Sequence, residues 1–490
     1  MINNSNLVIN NKNLKSNNIF KDIFKRKEVV RAKNFFKNIF GKFKGKLSDK
    51  PLIGKIFYTI ILIAVFRMAA TITIPGVEVN SLFANSTDSF SGIMNLIGGG
   101  GLSNFSIVAL GIGPYITSSI VMTLLQSEVF PAFYRLSKSG PAGKKKINII
   151  TRMVTIVFAI VQAITIIQQF KTGQLVVLQE SLNGSIWYQY IVIPFILLAG
   201  TLFTLFLGEQ ITSKGVGNGT SLIIFSGVAA KMPNKIKSSF SYFTSSGEEG
   251  SNTLIGVMDF ILYMFVFFII LYVAAYFYKS ERHIPIQQMG SGLTQDVDQM
   301  SRLPIKLNPA GVMPIIFAFT ITLLPLTIVQ FLHHQNLGRI WVEHNMQLTK
   351  PLGLSIFILV IFLFSIVMSL VTFNTYTIAE NFQKQGTFIP GVRPGEETER
   401  YLTGVVIRLS MFSAIYLSII SSLQFFEQII GITKGITISG TSLIILVSVA
   451  IETLDQLKAR DTTQNIARAK IRAVKHVESG SEDVEEGLLW

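Results

Sequence analysis

Apolar runs long enough to cross a bilayer recur along the whole chain, separated by polar connections. Ten stand out: roughly Leu52–Ile74, Phe105–Gln126, Ile149–Phe170, Trp187–Leu207, Val216–Ala230, Leu254–Tyr278, Ala310–Phe331, Leu352–Tyr376, Leu402–Leu423 and Ile436–Leu457. Each predicts a transmembrane helix. Two of them carry a break. Gly111-Ile112-Gly113-Pro114 lies within the second run, and Gly311-Val312-Met313-Pro314 opens the seventh. Proline removes an N–H from the helical ladder and its ring clashes with the preceding turn, so a kink is expected at both Pro114 and Pro314. The second run also has a flexible front end, Gly98-Gly99-Gly100-Gly101, followed by polar Ser103 and Asn104 before apolar residues resume at Phe105. Non-helical backbone at membrane depth survives only where protein or a water-filled cavity surrounds it.

Ten spans divide into five and five. Because five is odd, a duplicated second half sits upside down relative to the first, and the two broken spans, second and seventh, then occupy corresponding positions. Interrupted segments so placed point to a functional path on the axis between the halves. The expected fold is an all-α polytopic membrane protein, ten transmembrane helices in two inverted five-helix halves.

Composition agrees. Of 490 residues, 49% are hydrophobic, only 14% are charged and 38 are Phe, which does not describe a soluble globule. The net charge of +15 lies mostly in the termini and connections. Lys and Arg crowd the N-terminal arm up to Lys50, and Arg135, Lys138, Lys144, Lys145 and Lys146 fill the second-to-third connection. The first outer loop, Pro75 to Asn104, has Glu78 and Asp88 and no basic residue. By the positive-inside rule both termini are cytoplasmic. No cleavable signal peptide is visible, so the first span is expected to stay in the protein. The expected divisions are an Asn-rich basic extension (1–50), an N-terminal half (51–231), a C-terminal half (232–457) with long cytoplasmic loops at 279–308 and 377–401, and a cytoplasmic tail (458–490). There is no Cys, which excludes disulfides and thiolate metal sites.

Catalytic constellations are missing. No Walker A, no HExxH and no pair of membrane-buried Asp residues occurs, so an enzyme is not expected. His333, His334 and His344 share an outer loop but fit no standard metal spacing. Arg67, Arg152 and Arg408 lie near span ends, where snorkelling accounts for them. In the 377–401 loop, Pro390-Gly391 and Pro394-Gly395 bracket Arg393 and should project it from a turn. A planar guanidinium there suits RNA phosphate or an acidic protein surface, although a solvated loop obeying the charge rule is the plainer reading. An ion-coupled carrier with the same inverted repeat remains the alternative. It would need intramembrane carboxylates, and spans two, three, five, seven, eight and nine contain none.

Five stretches carry a closer likeness: SNFSIVALGIGPYITSSI, LGEQITSKGVGNGTSLIIFSGV, LPIKLNPAGVMPIIFA, FIPGVRPGEETERYL and ISGTSLIILVSVAIETLDQ. In this order, from about Lys50 to Leu457, they resemble successive signatures of the SecY family, the channel subunit of the general protein translocase. The resemblance implies a protein-conducting channel of a cell (plasma) membrane that passes unfolded polypeptides and releases apolar segments sideways into lipid, without a cofactor. It implies a pore ring at Ile112, Ile116, Ile224, Ile316 and Ile445, with a sixth position, Thr220, polar here. It further implies a plug at about 90–104, including Asn95, Gly98, Gly99, Gly100, Gly101 and Leu102. A lateral gate falls on Pro114, Thr117, Asn308 and Pro314, and ribosome or motor contacts on Arg282, His283 and Arg393. The implied partners are the small subunits SecE and SecG, the motor ATPase SecA, the translating ribosome, signal peptides and nascent chains, and membrane lipids. The Asn-rich extension and the acidic end, Glu478 to Trp490, have no counterpart in the resemblance.

Overall fold

The structure, a computed structural model, describes residues 50–79, 95, 98–126, 130–172, 176–178, 187–245, 253–288, 301–329, 332, 336–429 and 439–487. The expected N-terminal extension, most of residues 80–97, and His333 and His334 lie outside the described residues. Contacts group the chain into a large unit, Thr59–Leu457, and a small one formed by the chain up to Tyr58 and from Lys458 onward.

Helices follow the predicted spans in order. The first half contains α1 (Lys50–Ala69), α2 (Gly113–Leu125), a short α3 (Pro131–Lys138), α4 (Gly140–Thr172), α5 (Ile193–Lys214, entered through a π turn at Tyr188–Val192) and α6 (Gly219–Ser245). The second contains α7 (Thr253–Lys279), α8 (Met313–Val329), a short α9 (Leu337–Asn345), α10 (Pro351–Thr372), α11 (Thr375–Gln385), α12 (Glu396–Ile429) and α13 (Gly440–Gly487). Among the described residues, seven helices are long and apolar enough to cross a membrane by themselves. The second and seventh spans are the short ones. At 13 residues, α2 extends only about 20 Å, against about 30 Å of hydrocarbon, so the packed non-helical stretch before it must complete the crossing.

Lipid-facing and protein-facing surfaces divide as the apolar pattern requires. Leu254, Met258, Ile261, Leu262 and Phe265 of α7 are exposed, as suits a helix bathed in hydrocarbon. One hydrophobic cluster runs through the large unit, from Phe66 of α1 through Ile112, Ile223, Phe319, Phe357 and Phe425 to Val449 of α13. Where α10 and α12 pack, Ser365, Ser369, Ser410, Ser413 and Ser421 are fully buried, and such small residues let helix backbones approach.

The two long loops expected on the cytoplasmic side are not wholly irregular. β3 (Glu281–Gln288), which continues from α7, pairs antiparallel with β4 (Ser301–Lys306) in the register Glu281↔Lys306, and the end of β3 also pairs with β5 (Thr387–Phe388), giving the order β4-β3-β5. Ile284, Ile305, Ile389, Leu402, Val405 and Val406 form a separate apolar cluster beneath this sheet. The loops at 279–308 and 377–401 are therefore one structural feature. A second small sheet joins β1 (Val77–Val79) to β2 (Val176–Leu178).

Candidate channel gate

Neither motif proline kinks a helix. Pro114 and Pro314 both occupy the first turn, of α2 and α8 respectively, where a helix has no use for the missing N–H and the fixed φ of proline suits entry. The glycine three residues earlier turns the chain in each case, Gly111 at φ 50° and Gly311 at φ 63°. Gly-x-x-Pro is thus a helix-start motif, and the expected kinks are replaced by a late start, with residues 105–112 in turns. Among the described residues, prolines well inside α-helices include Pro233 of α6 and Pro325 of α8.

The stretch before α2 is packed into the protein and internally bonded. Asn95 donates through Nδ2 to Ser103 Oγ at 2.6 Å and accepts from the Ser103 N–H at 3.1 Å, while the Gly100 N–H donates to the Asn95 carbonyl. Gly98, Gly99, Gly101 and Leu102 are buried. Beyond a 3-10 turn at Gly101–Asn104, the chain is held to the end of the first span: the Ile74 N–H donates to the Phe105 carbonyl and the Ile107 N–H to that of Ile72. Of the expected plug, residues 90–94, 96 and 97 lie outside the described residues. Snorkelling does not describe Arg67. Its Nη1 turns inward and donates to the Gly99 carbonyl at 2.9 Å. Arg152 pairs with Glu209 at 2.7 Å, and Arg408 donates from Nε to the Gly404 carbonyl.

All five expected ring isoleucines are buried, with exposures of 0% at Ile112, 7% at Ile116, 2% at Ile224, 3% at Ile316 and 1% at Ile445, and all belong to the large cluster. They come from α6, α8, α13 and the start of α2. Thr220, the polar sixth position, is half-buried and donates to Asn218 Oδ1 at 2.7 Å in the first turn of α6.

Helices α2 and α8 touch. Beside them lies a cavity of about 170 Å³ lined by residues of α2, α4 and α8, among them Gly113, Thr117, Gln162, Thr320 and Thr327. Thr117 Oγ1 accepts from Gln162 Nε2 at 3.1 Å and donates to the Gly113 carbonyl at 3.2 Å, tying α4 to the start of α2. Gln162 is a candidate gate residue that the sequence reading missed; its signal was an amide near the middle of a largely apolar run. Asn308 donates from Nδ2 to the Gly311 carbonyl at 2.7 Å and so fixes the turn that launches α8. Pro114, Thr117, Asn308 and Pro314 are all buried.

On the β4-β3-β5 sheet, Arg282 and His283 lie exposed on β3, opposite Ile305 and Pro304. Arg393 is exposed in the turn after β5, its backbone held by Thr398 Oγ1, which donates to the Arg393 carbonyl at 2.7 Å. β5 pairs with β3 at Gln287 and Gln288, about 17 Å along the strand from Arg282.

A family model for SecY matches residues 106–454, which contain most of this site. The protein translocase subunit SecY of Mycoplasma capricolum is 40% identical over 456 residues, covering 91% of this chain and 94% of that one. The chain belongs to the SecY family. It is accordingly a channel subunit of a protein translocase, a multi-pass membrane protein and not an enzyme. Its fold matches a structure described as "The structure of a protein conducting channel" at TM-score 0.58 and 18% identity, covering 83% of this chain and 92% of that one. It also matches "Sec61 in the Canine ribosome-channel complex from the endoplasmic reticulum" at TM-score 0.53 and 18% identity, with the same coverage. These SecY-type folds have ten transmembrane helices, the number predicted from the apolar runs.

Proposed function

We propose that this SecY-family chain is folded in the closed state of its channel, with Ile112, Ile116, Ile224, Ile316 and Ile445 as the constriction and the segment from Asn95 to Leu102 as the plug. The observation that carries the reading is the burial of a non-helical, glycine-rich segment against the start of α2, next to a span too short to cross alone. Branched apolar side chains around a path exclude water and ions when no substrate is present, yet deform around an extended polypeptide. The seam between α2 and α8, with Pro114, Thr117, Asn308 and Pro314 along it, is the exit through which apolar segments pass into lipid. The 170 Å³ cavity beside this seam supports that role, because helices already imperfectly packed separate at lower cost.

Both termini face the cytoplasm of a cell whose plasma membrane holds the channel. The β3–β4–β5 sheet then faces the cytoplasm, where Arg282, His283 and Arg393 contact the translating ribosome or the SecA motor; SecE and SecG complete the membrane complex. A ribosome-bound Sec61 of the same fold supports the ribosomal contact. Reversing a charged contact at a turn should cost on the order of 2 kcal/mol of binding. Arg393→Glu channels that insert normally should therefore lose ribosome and motor binding; undiminished binding would return this loop to a solvated role.

Cross-linking tests the exit directly, because the chain has no native cysteine. Cysteines at Thr117 and Thr320, joined by a bifunctional thiol reagent, should stop insertion of apolar segments, and cleavage of the linker should restore it. Insertion at the parent rate through the linked channel would place the exit elsewhere. Single cysteines at Ser139 and Gly395 should react only with reagent on the cytoplasmic side, and those at Asn85 and Asn336 only from outside. The reverse pattern would overturn the orientation.

A further inference from the structure

Arg67 stands where an arginine is costly. It lies in the last turn of α1, in an apolar helix, and a guanidinium at such a position normally reaches outward to water. Here it is half-buried and directed at the backbone of a segment 32 residues away, with Nη1 2.9 Å from the Gly99 carbonyl oxygen. The surrounding surfaces are shaped to hold Gly99 at that spot. Phe66, fully buried, lies beneath it: a Cβ on Gly99 would meet Phe66 Cζ at 2.9 Å. From α6, a Cβ on Gly227 would fall 2.3 Å from the Gly99 carbonyl carbon and oxygen. The glycine-rich segment therefore fits between α1 and α6 with no room for a side chain from either strand of the contact, and Arg67 supplies a charged donor at its rim. The Asn95–Ser103 bond and the bond from Ser106 Oγ to the Gly101 carbonyl tie this stretch to the residues that follow it in the chain, whereas Arg67 reaches it from another helix.

We propose that Arg67 is a positioning residue that latches the plug: its bond to the Gly99 carbonyl exists in the closed channel, breaks when the plug withdraws, and sets how often the resting channel opens. This rests on the reading of Asn95 to Leu102 as the plug. Arginine suits the role because its planar fork can hold a carbonyl while further N–H groups stay bonded to water, a geometry that the single ammonium of lysine does not reproduce.

The test is resting leak of a small ion or dye from vesicles carrying the complete channel complex, for the parent, Arg67→Gln, Arg67→Lys, a deletion of residues 98–101, and that deletion combined with Arg67→Gln. Loss of the bond should raise the leak of Arg67→Gln about tenfold, which corresponds to about 1.4 kcal/mol. Arg67→Lys should fall between Arg67→Gln and the parent. In the plug-deleted channel Arg67→Gln should add nothing, a coupling that a merely structural role would not produce. If Arg67→Gln is as tight as the parent while the deletion leaks, the latch is wrong and the plug stands. Equal increments with and without the plug also overturn the latch. A plug-deleted channel as tight as the parent removes both readings. If Arg67→Gln does not assemble, Arg67→Lys decides: leak above the parent supports the latch, and parent tightness overturns it.

Discussion

The starts of α2 and α8 use one motif for two different purposes. At each, a left-handed glycine turns the chain and a proline three residues later enters the helix, at Gly111 and Pro114 and again at Gly311 and Pro314. A Cβ on Gly111 would lie 1.9 Å from the Gly98 carbonyl oxygen, whereas one on Gly311 would meet nothing within 4 Å. The second half needs its glycine for the turn alone. The first needs it for the turn and for the space that the buried glycine-rich segment occupies. The two halves thus share the turn, and the difference is the glycine-rich segment seated against the first turn and not the second.

That contrast can be broken by unequal responses to equal substitutions. Gly111→Ala should be the most damaging, because the added methyl must displace the Gly98 backbone; resting leak should rise sharply and thermal stability in detergent should fall. A Gly111→Ala channel as tight and stable as the parent would show that the segment is not seated against α2. Gly311→Ala meets only the left-handed backbone penalty, about 1–2 kcal/mol, so its melting temperature should drop modestly with no change in leak. A larger leak from Gly311→Ala than from Gly111→Ala would reverse the assignment of the plug to the first half. Smallest of all should be Pro114→Ala and Pro314→Ala, each within about 1 kcal/mol of the parent in unfolding, since both prolines stand where no helical N–H bond is lost. A strong effect of either would restore the kink that the sequence suggested.

Much of this was legible from residue order. Spans long enough to cross a bilayer fix the helix count, and the Gly-x-x-Pro repeat picks out the second and seventh. What the motif does was not legible: proline in an apolar run reads equally as kink or start, and the choice depends on whether residues 105–112 find partners, which they do at Ile72, Ile74 and within their own turns. The β4-β3-β5 sheet was missed because β5 is two residues long and pairs with a strand about a hundred positions earlier. Arg67 was misread for a similar reason. Its partner is a backbone carbonyl, which leaves no mark in a side-chain pattern.

The central claim is that plug and isoleucine constriction together hold the resting channel shut. Its most direct measurement is ion leak through vesicles bearing channels with Asn95 to Gly101 deleted and Ile116, Ile316 and Ile445 replaced by Gly, compared with the parent, with both channels shown to be inserted in equal amounts. The account predicts a leak well above the parent and above that of the plug deletion alone. Parent-like tightness in the combined variant would place the seal elsewhere in the molecule.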